Sequence, residues 1–294
     1  MKKFGTKMVA LGMAVMMAVM MTACGAGNGG NTASDGVVKA IDISLTDELY
    51  AFGVDKNNDE LLTKTNEYIA SIKSDGTLDE ICEHYFGDGT PVGVTSAELN
   101  TNGDTEKEQL VVATNAEFSP FEYKEGDTFY GIDMELAKGL ADYLNMELVI
   151  LDVDFEAVCT YVDSGKADMA IAGLTINESR KESVNFTDSY YTASQVIIVP
   201  SSNTAFDACT TADDVLAVIA EQSSGRIGGQ SGTTAEYFVK GDADWGFDGL
   251  SNMNWVGYTS GSLAVNDMLS GNIDYVIIDQ APANMIVKKV NAAN

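Results

Sequence analysis

Three stretches of the chain bring charged, hydroxyl, amide and aromatic side chains together in patterns suited to holding an α-amino acid. The first is Val112-Ala113-Thr114-Asn115-Ala116-Glu117-Phe118-Ser119-Pro120-Phe121, where an apolar run opens into an aromatic loop. The second, Ala172-Gly173-Leu174-Thr175-Ile176-Asn177-Glu178-Ser179-Arg180, continues to Phe186-Thr187-Asp188-Ser189-Tyr190-Tyr191. The third couples Gly229-Gln230-Ser231-Gly232-Thr233-Thr234 with Tyr275-Val276-Ile277-Ile278-Asp279-Gln280-Ala281-Pro282-Ala283. An α-carboxylate calls for a planar cationic fork plus backbone donors, and an α-ammonium for a fixed anion. All three stretches follow predicted strands. In open α/β sheets the carboxyl edge of the strands is where ligands bind.

Little else in the sequence could do chemistry. Its one histidine, His84, lies near the end of a short helical pattern among charged neighbours and reads as a surface residue. No Cys/His metal cluster, Gly-rich phosphate loop or nucleophile elbow is present, so neither catalysis nor a cofactor is expected. The formal charge of −27 argues against nucleic acid and anionic lipid as partners. Cys82, Cys159 and Cys209 lack metal-like spacing. Cys82 and Cys159 fall in apolar helical patterns and read as buried thiols, while export would permit a disulfide between them.

The elements that must position the three stretches alternate in type. Strands are predicted at Leu110 to Thr114, Glu147 to Leu151, Met169 to Ala172 and Gln195 to Val199, the last closed by Pro200. Helical spacing covers Ile132 to Leu144 and Phe155 to Ser164. A second set follows, with helices Ala212 to Glu221, Thr233 to Lys240 and Ser262 to Ser270, and strands Arg226 to Gly229, Asn254 to Tyr258 and Tyr275 to Ile278. This alternation implies parallel sheets covered by helices, in two similar units joined near Tyr190 to Gln195, with a cleft between them.

Ahead of these units lies a displaced piece. Val37 to Ile43 is strand-like, Tyr50 to Val54 extended, and helices are predicted at Asp59 to Ser74 and Thr77 to Phe86, closed by Gly76 and Gly87. Tyr50 to Gly87 reads as the closing strand and helix pair of an α/β domain, yet it precedes the segment that reads as that domain's opening. Residues 92–109 are polar and aperiodic and read as a linker, long enough at about 3.3 Å per residue to join distant ends of one lobe.

The first residues read as a targeting signal. Lys2, Lys3 and Lys7 precede an apolar run, Met8 to Met21, that is short for a membrane span of about 20 residues. Met21-Thr22-Ala23-Cys24 resembles a bacterial lipobox, with Met21 where Leu is usual, which makes Cys24 the expected site of diacylation. Removing residues 1–24 takes three lysines and no acids, leaving a formal charge of about −30. Residues 25–36 form a Gly/Asn/Ser tether.

In order and spacing, the Gly-Leu-Thr…Arg and Gln-Ser-Gly-Thr-Thr motifs resemble the polar amino-acid family of extracellular solute-binding proteins, the receptors of amino-acid ABC transporters. The resemblance covers nearly all of Gln109 to Asn294. Val37 to Phe86, with Tyr50-Ala51-Phe52-Gly53-Val54 and Asp75-Gly76-Thr77-Leu78-Asp79-Glu80-Ile81, resembles the tail such proteins carry last. The resemblance implies the two-lobe, type II periplasmic-binding-protein-like α/β fold, here circularly permuted.

Its residues carry over as follows. Arg180 matches the family's carboxylate-binding arginine, with Thr175 and Gly173 as its hydroxyl and backbone partners. Thr233 and Thr234 open a helix whose terminal amides add donors. Asp279 matches the ammonium-binding aspartate, Phe118 and Phe155 the aromatic walls, and Asn115 and Gln230 the positions that meet the distal part of the ligand. Asn115 is neutral where receptors for cationic amino acids tend to carry an acid, which disfavours Arg or Lys, although nearby Glu117 could restore the charge. Asp133 and Asp168 read as structural. Buried unpaired charges are costly, so Arg180 and Asp279 should meet fully only through a bridging ligand, which makes lobe closure the natural readout.

The expected organisation is a first lobe of residues 49–91 and 110–193 and a second of residues 37–48 and 194–294, with crossings near Asp47 to Tyr50 and Tyr190 to Gln195. The expected activity is a monomeric, lipid-anchored receptor at the extracytoplasmic face of the membrane. It would deliver a free polar L-amino acid, glutamine first, to an ABC permease. Two alternatives share the fold: a sensor domain, which would need a transmembrane segment and a signalling module, and a cyclohexadienyl-dehydratase-like enzyme, for which Glu117 is the marginal acid/base candidate. A degenerate tandem whose halves never pair is a third.

Overall fold

The computed structural model describes residues 36–101 and 108–294; the leader, Cys24 and most of the tether lie outside the described residues. Two five-stranded sheets dominate. In one, the strand order is Val184–Phe186, Gly53–Asp55, Met169–Ala170, Gln109–Thr114 and Glu147–Asp152. In the other it is Val38–Ile41, Gln195–Pro200, Tyr275–Asp279, Gly225–Gln230 and Met253–Tyr258. Both sheets are mixed, a correction to the all-parallel expectation. Gly53–Asp55 and Val38–Ile41, both from the displaced front piece, pair antiparallel with their neighbours, and Gln195–Pro200 pairs antiparallel with Tyr275–Asp279. The strands that follow helical crossovers stay parallel, as such connections require.

The front piece is built into both sheets. Its predicted extended run from Tyr50 to Val54 is in fact two strands, Glu48–Tyr50 and Gly53–Asp55. Ala51 and Phe52 turn between them, fully buried, and the Phe52 amide donates to Thr187 Oγ1 at 3.0 Å. Glu48–Tyr50 pairs with Tyr191–Ala193 in a separate two-stranded ladder, and the chain passes between the sheets along these two strands. At the other end, Val38 exchanges hydrogen bonds with the Asn291 side chain on the last helix, Gln280–Ala293, at 3.1 and 2.9 Å. That contact covers an edge strand otherwise open to pairing.

Local chemistry sets the helix ends. Asn58 caps Asp59–Asp75 by accepting from the Leu61 amide, and Gly76, at φ 87°, turns the chain into Thr77–Phe86. Both helices lie against Ile132–Tyr143, burying Tyr68, Ile69, Ile72, Leu78 and Ile81 in one core with Leu136 and Leu140. The predicted helix Phe155 to Ser164 divides into a 3₁₀ turn, Phe155–Ala157, and Val158–Asp163. Part of the expected linker is packed onto the fold: Val94 is buried and exchanges backbone bonds with Phe129, and Ser96 Oγ accepts from the Ile150 amide at 2.8 Å. Among the described residues no helix is long and apolar enough to cross a membrane.

Candidate functional site

Strand ends converge on a cavity between the sheets. Asn115 follows Gln109–Thr114; Gly173 and Thr175 follow Met169–Ala170; Gln230 and Asp279 end their strands; Thr233 caps the helix Thr234–Lys240. Arg180 rides on the short helix Glu178–Lys181, where Asn177 accepts from the Arg180 amide at 2.6 Å. Phe118, Phe155, Gly173, Thr175, Arg180, Gln230, Thr233, Thr234 and Asp279 line a nearly closed cavity of about 10 Å³. That is room for about one water, so an amino acid would fit only when the walls part. Asn115 stands behind the wall, its Oδ1 accepting from Gln230 Nε2 at 2.7 Å while its Nδ2 donates to Val153 O at 2.8 Å.

The two charges face each other across this space. The Arg180 guanidinium donates to Thr175 O at 2.7 Å and to Gly232 O at 3.0 Å, and lies 5.2 Å from the Phe155 ring centre. Burial lowers its hold on its proton, and no carboxylate hydrogen-bonds to it among the described residues. Asp279 is 5% exposed and accepts from the Tyr50 hydroxyl at 2.5 Å. Burial, with the Glu48 charge second, pushes its carboxyl up to about 7. A buried cation held only by carbonyls and a buried acid held partly protonated are both unfinished pairs. A zwitterion between them completes both.

Two expected donors, the Gly173 amide and the Thr175 hydroxyl, are used otherwise. The Gly173 amide donates to Asp133 Oδ2 at 2.7 Å. What Gly173 supplies is room and a left-handed turn, because at φ 51° a Cβ would come within 3.0 Å of Phe118 Cε1. The Thr175 and Thr234 hydroxyls both donate to Glu48 Oε2, at 2.7 and 2.6 Å. Thr233 Oγ1 donates to Gln230 O at 2.7 Å and makes no cap bond, so the amides opening Thr234–Lys240 have no side-chain oxygen over them.

Asp133 braces the site: its other oxygen accepts from Tyr190 Oη at 2.6 Å, and burial pushes its carboxyl up to about 6. Asp168 likewise accepts from the Val111 amide at 2.8 Å. Glu117 is exposed, off the cavity lining, and His84 is half-buried, its Nδ1 2.9 Å from Glu135 Oε2. Cys82, Cys159 and Cys209 are free thiols; burial pushes Cys82 up to about 11.

Sequence reasoning missed Glu48, Tyr50 and Gln195. Glu48 is 4% exposed and also accepts from Thr46 Oγ1 at 2.7 Å and Gln195 Nε2 at 2.9 Å. The signal was an inverted alternation: Thr46, Glu48 and Tyr50 are buried while Leu49 is 47% exposed. A strand with its polar face inward marks an internal polar site.

The model of the bacterial extracellular solute-binding proteins, family 3, matches residues 110–292. The chain is 40% identical over 99 residues to the arginine-binding extracellular protein ArtP of Bacillus subtilis (strain 168), covering 34% of this chain and 39% of that protein. It is 25% identical over 178 residues to the histidine-binding periplasmic protein of Salmonella typhimurium, covering 60% of this chain and 63% of that one. It therefore spans less than two thirds of these relatives. Among solved structures, an ancestral arginine-binding protein bound to glutamine superposes with a TM-score of 0.54 at 32% identity, covering 64% of this chain and 77% of the other. The two-sheet architecture is the two-lobe periplasmic-binding-protein fold, and the chain belongs to the bacterial extracellular solute-binding proteins, family 3.

Proposed function

We propose that this protein is a lipid-anchored extracytoplasmic receptor that binds a free polar L-amino acid by closure of its two lobes and delivers it to an ABC permease. The observation that carries the reading is Arg180 and Asp279 in one small buried cavity, each lacking the partner that an α-carboxylate and an α-ammonium would supply. Phe118 and Phe155 flank the ligand side chain, and Gln230, held from behind by Asn115, meets its polar end. A neutral amide at that end favours glutamine. Calorimetry against the twenty amino acids tests the assignment, which predicts glutamine or another neutral polar amino acid as the tightest ligand; no binding of any of them would overturn it.

Arginine is the second reading, favoured by one observation. Phe155 and Gln230 are shared with an adjoining chamber of about 180 Å³ whose rim carries the exposed acids Asp154 and Glu156. A longer cationic side chain that displaced the amide bridge would reach them, and several relatives are named for arginine. Preference for arginine in the same titration decides between the two.

The order of segments is read as a circular permutation of one fold. The family match begins at residue 110, while Gly53–Asp55 fills an interior place in the sheet built by that matched region. The lipid at Cys24 would then hang from the second lobe through Val38–Ile41. A chain rearranged to start at Glu108, with residues 37–101 joined after Asn294, should fold and bind unchanged.

A further inference from the structure

The carboxylate of Glu48 is ringed by donors and stands off the cavity lining. Its Oε1 accepts from Thr46 Oγ1 at 2.7 Å and from Gln195 Nε2 at 2.9 Å. Its Oε2 accepts from Thr175 Oγ1 at 2.7 Å and from Thr234 Oγ1 at 2.6 Å. An ionised carboxylate has about four acceptor sites, and protein groups fill all of them here. Glu48 is 4% exposed, so it reaches a ligand only through its partners.

Two of those partners belong to the cavity's own walls. Thr175 follows Met169–Ala170 of one sheet and Thr234 opens the helix after Gly225–Gln230 of the other, yet their Oγ1 atoms lie 3.5 Å apart. The backbone sets the carboxylate beside them. The Ile176 amide donates to Leu49 O at 3.0 Å and the Ala51 amide to Leu174 O at 3.1 Å, so the strand Glu48–Tyr50 runs along Leu174 to Ile176. A hydroxyl has one proton and two lone pairs. With the protons of Thr175 and Thr234 directed to Glu48, what their oxygens offer the cavity is lone pairs. Asp279 adds carboxyl oxygen to the same lining. Such acceptors suit the N–H groups of an ammonium and repel a carboxylate.

We propose that Glu48 is a positioning residue of the amino-acid site: by taking the hydroxyl protons of Thr175 and Thr234 it turns both into acceptors for the α-ammonium, and so sets the preference for an amine. The proposal rests on the receptor reading above and assigns part of its selectivity to the front piece, ahead of the residues 110–292 that the family model matches. The role needs a carboxylate. A glutamine amide has the same shape but only two lone-pair sites, with two N–H donors in place of the others. With its oxygen toward the threonines it sets an N–H against Gln195 Nε2. Turned the other way, it drives the threonine protons toward the cavity.

Calorimetric titration of the full chain compares glutamine with glutaramate, which has the same carboxylate and side-chain amide but no ammonium; arginine and 5-guanidinopentanoate run in parallel. Glu48→Gln should weaken the amino acid roughly 10- to 100-fold, the scale of one lost charged hydrogen bond, and leave its analogue within about threefold. A double-mutant cycle with Thr175→Val reads the same link from the amino acid alone. The two losses should overlap, the pair binding little worse than the weaker single variant. If Glu48→Gln does not fold, Thr234→Val and Thr234→Ser take its place: valine should weaken the amino acid alone, and serine, which keeps the hydroxyl, neither ligand. Equal weakening of amino acid and analogue, losses that multiply in the cycle, or no change in either ligand would overturn the proposal. No binding of any of the twenty amino acids would overturn the receptor reading instead.

Discussion

Arg180 is the side chain on which affinity should turn most sharply. Its guanidinium is already held by two carbonyls and the Phe155 face, so little freedom remains to be lost when a carboxylate arrives. Lysine keeps the charge but not the fork. Arg180→Lys should weaken glutamine binding roughly 10- to 100-fold, the equivalent of about 1.5–3 kcal/mol for a lost charged hydrogen bond. An unchanged dissociation constant by calorimetry would take the fork out of the site. Asp279 was legible in the sequence as a charge closing an apolar strand, where a fold of this class puts its ligand, and Arg180 through the Gly-Leu-Thr…Arg motif. Glu48 was not. Its partners Thr175 and Thr234 lie 127 and 186 residues away, and spacing along the chain carries no trace of such a contact.

The helices legible from periodicity formed close to their expected bounds, because an amphipathic stripe with a cap specifies an element locally. The pieces that were misread depend on a partner strand. Glu117–Phe118, Glu122–Glu125 and Thr128–Tyr130 form a hairpin sheet too short and too polar to show a period, and Tyr191–Ala193 exists only because Glu48–Tyr50 pairs with it. The packing of the front helices on Ile132–Tyr143 can be tested at one atom. A Cβ on Gly139 would lie 2.3 Å from the Tyr68 hydroxyl oxygen, and Tyr68 is itself buried, its ring tilted against that of Tyr143. Propensity alone would make Gly139→Ala stabilising by about 1 kcal/mol. Here it should destabilise by about 1–3 kcal/mol through overpacking, and Tyr68→Phe in the same chain should recover most of the loss. Denaturant melts of the two single variants and the pair decide it. Additive effects would mean that the helix carrying Tyr68 does not sit on Gly139.

Across the whole molecule, the buried acids set an unusual slope of stability against pH. Asp279 and Asp133 are held up to about 7 and about 6, and Glu122 and Asp168 are also raised, in each case chiefly by burial. In the unfolded chain these carboxyls ionise near pH 4. Between pH 4 and pH 7 the folded state therefore binds more protons than the unfolded state. Stability from this source is present at the acid end of that window and is lost as pH rises through the folded values. The formal charge of −27 acts in the same direction, because self-repulsion grows as the surface acids ionise. The protein without ligand should accordingly melt at a higher temperature at pH 5.5 than at pH 8. Ligand reverses part of this, since an ammonium that expels the Asp279 proton binds better at the higher pH. The rise in melting temperature produced by saturating glutamine should then be larger at pH 8 than at pH 6. Calorimetric melts with and without glutamine at the three pH values test both slopes. A melting temperature that climbs with pH in the absence of ligand would mean that the buried carboxyls are ionised in the folded protein.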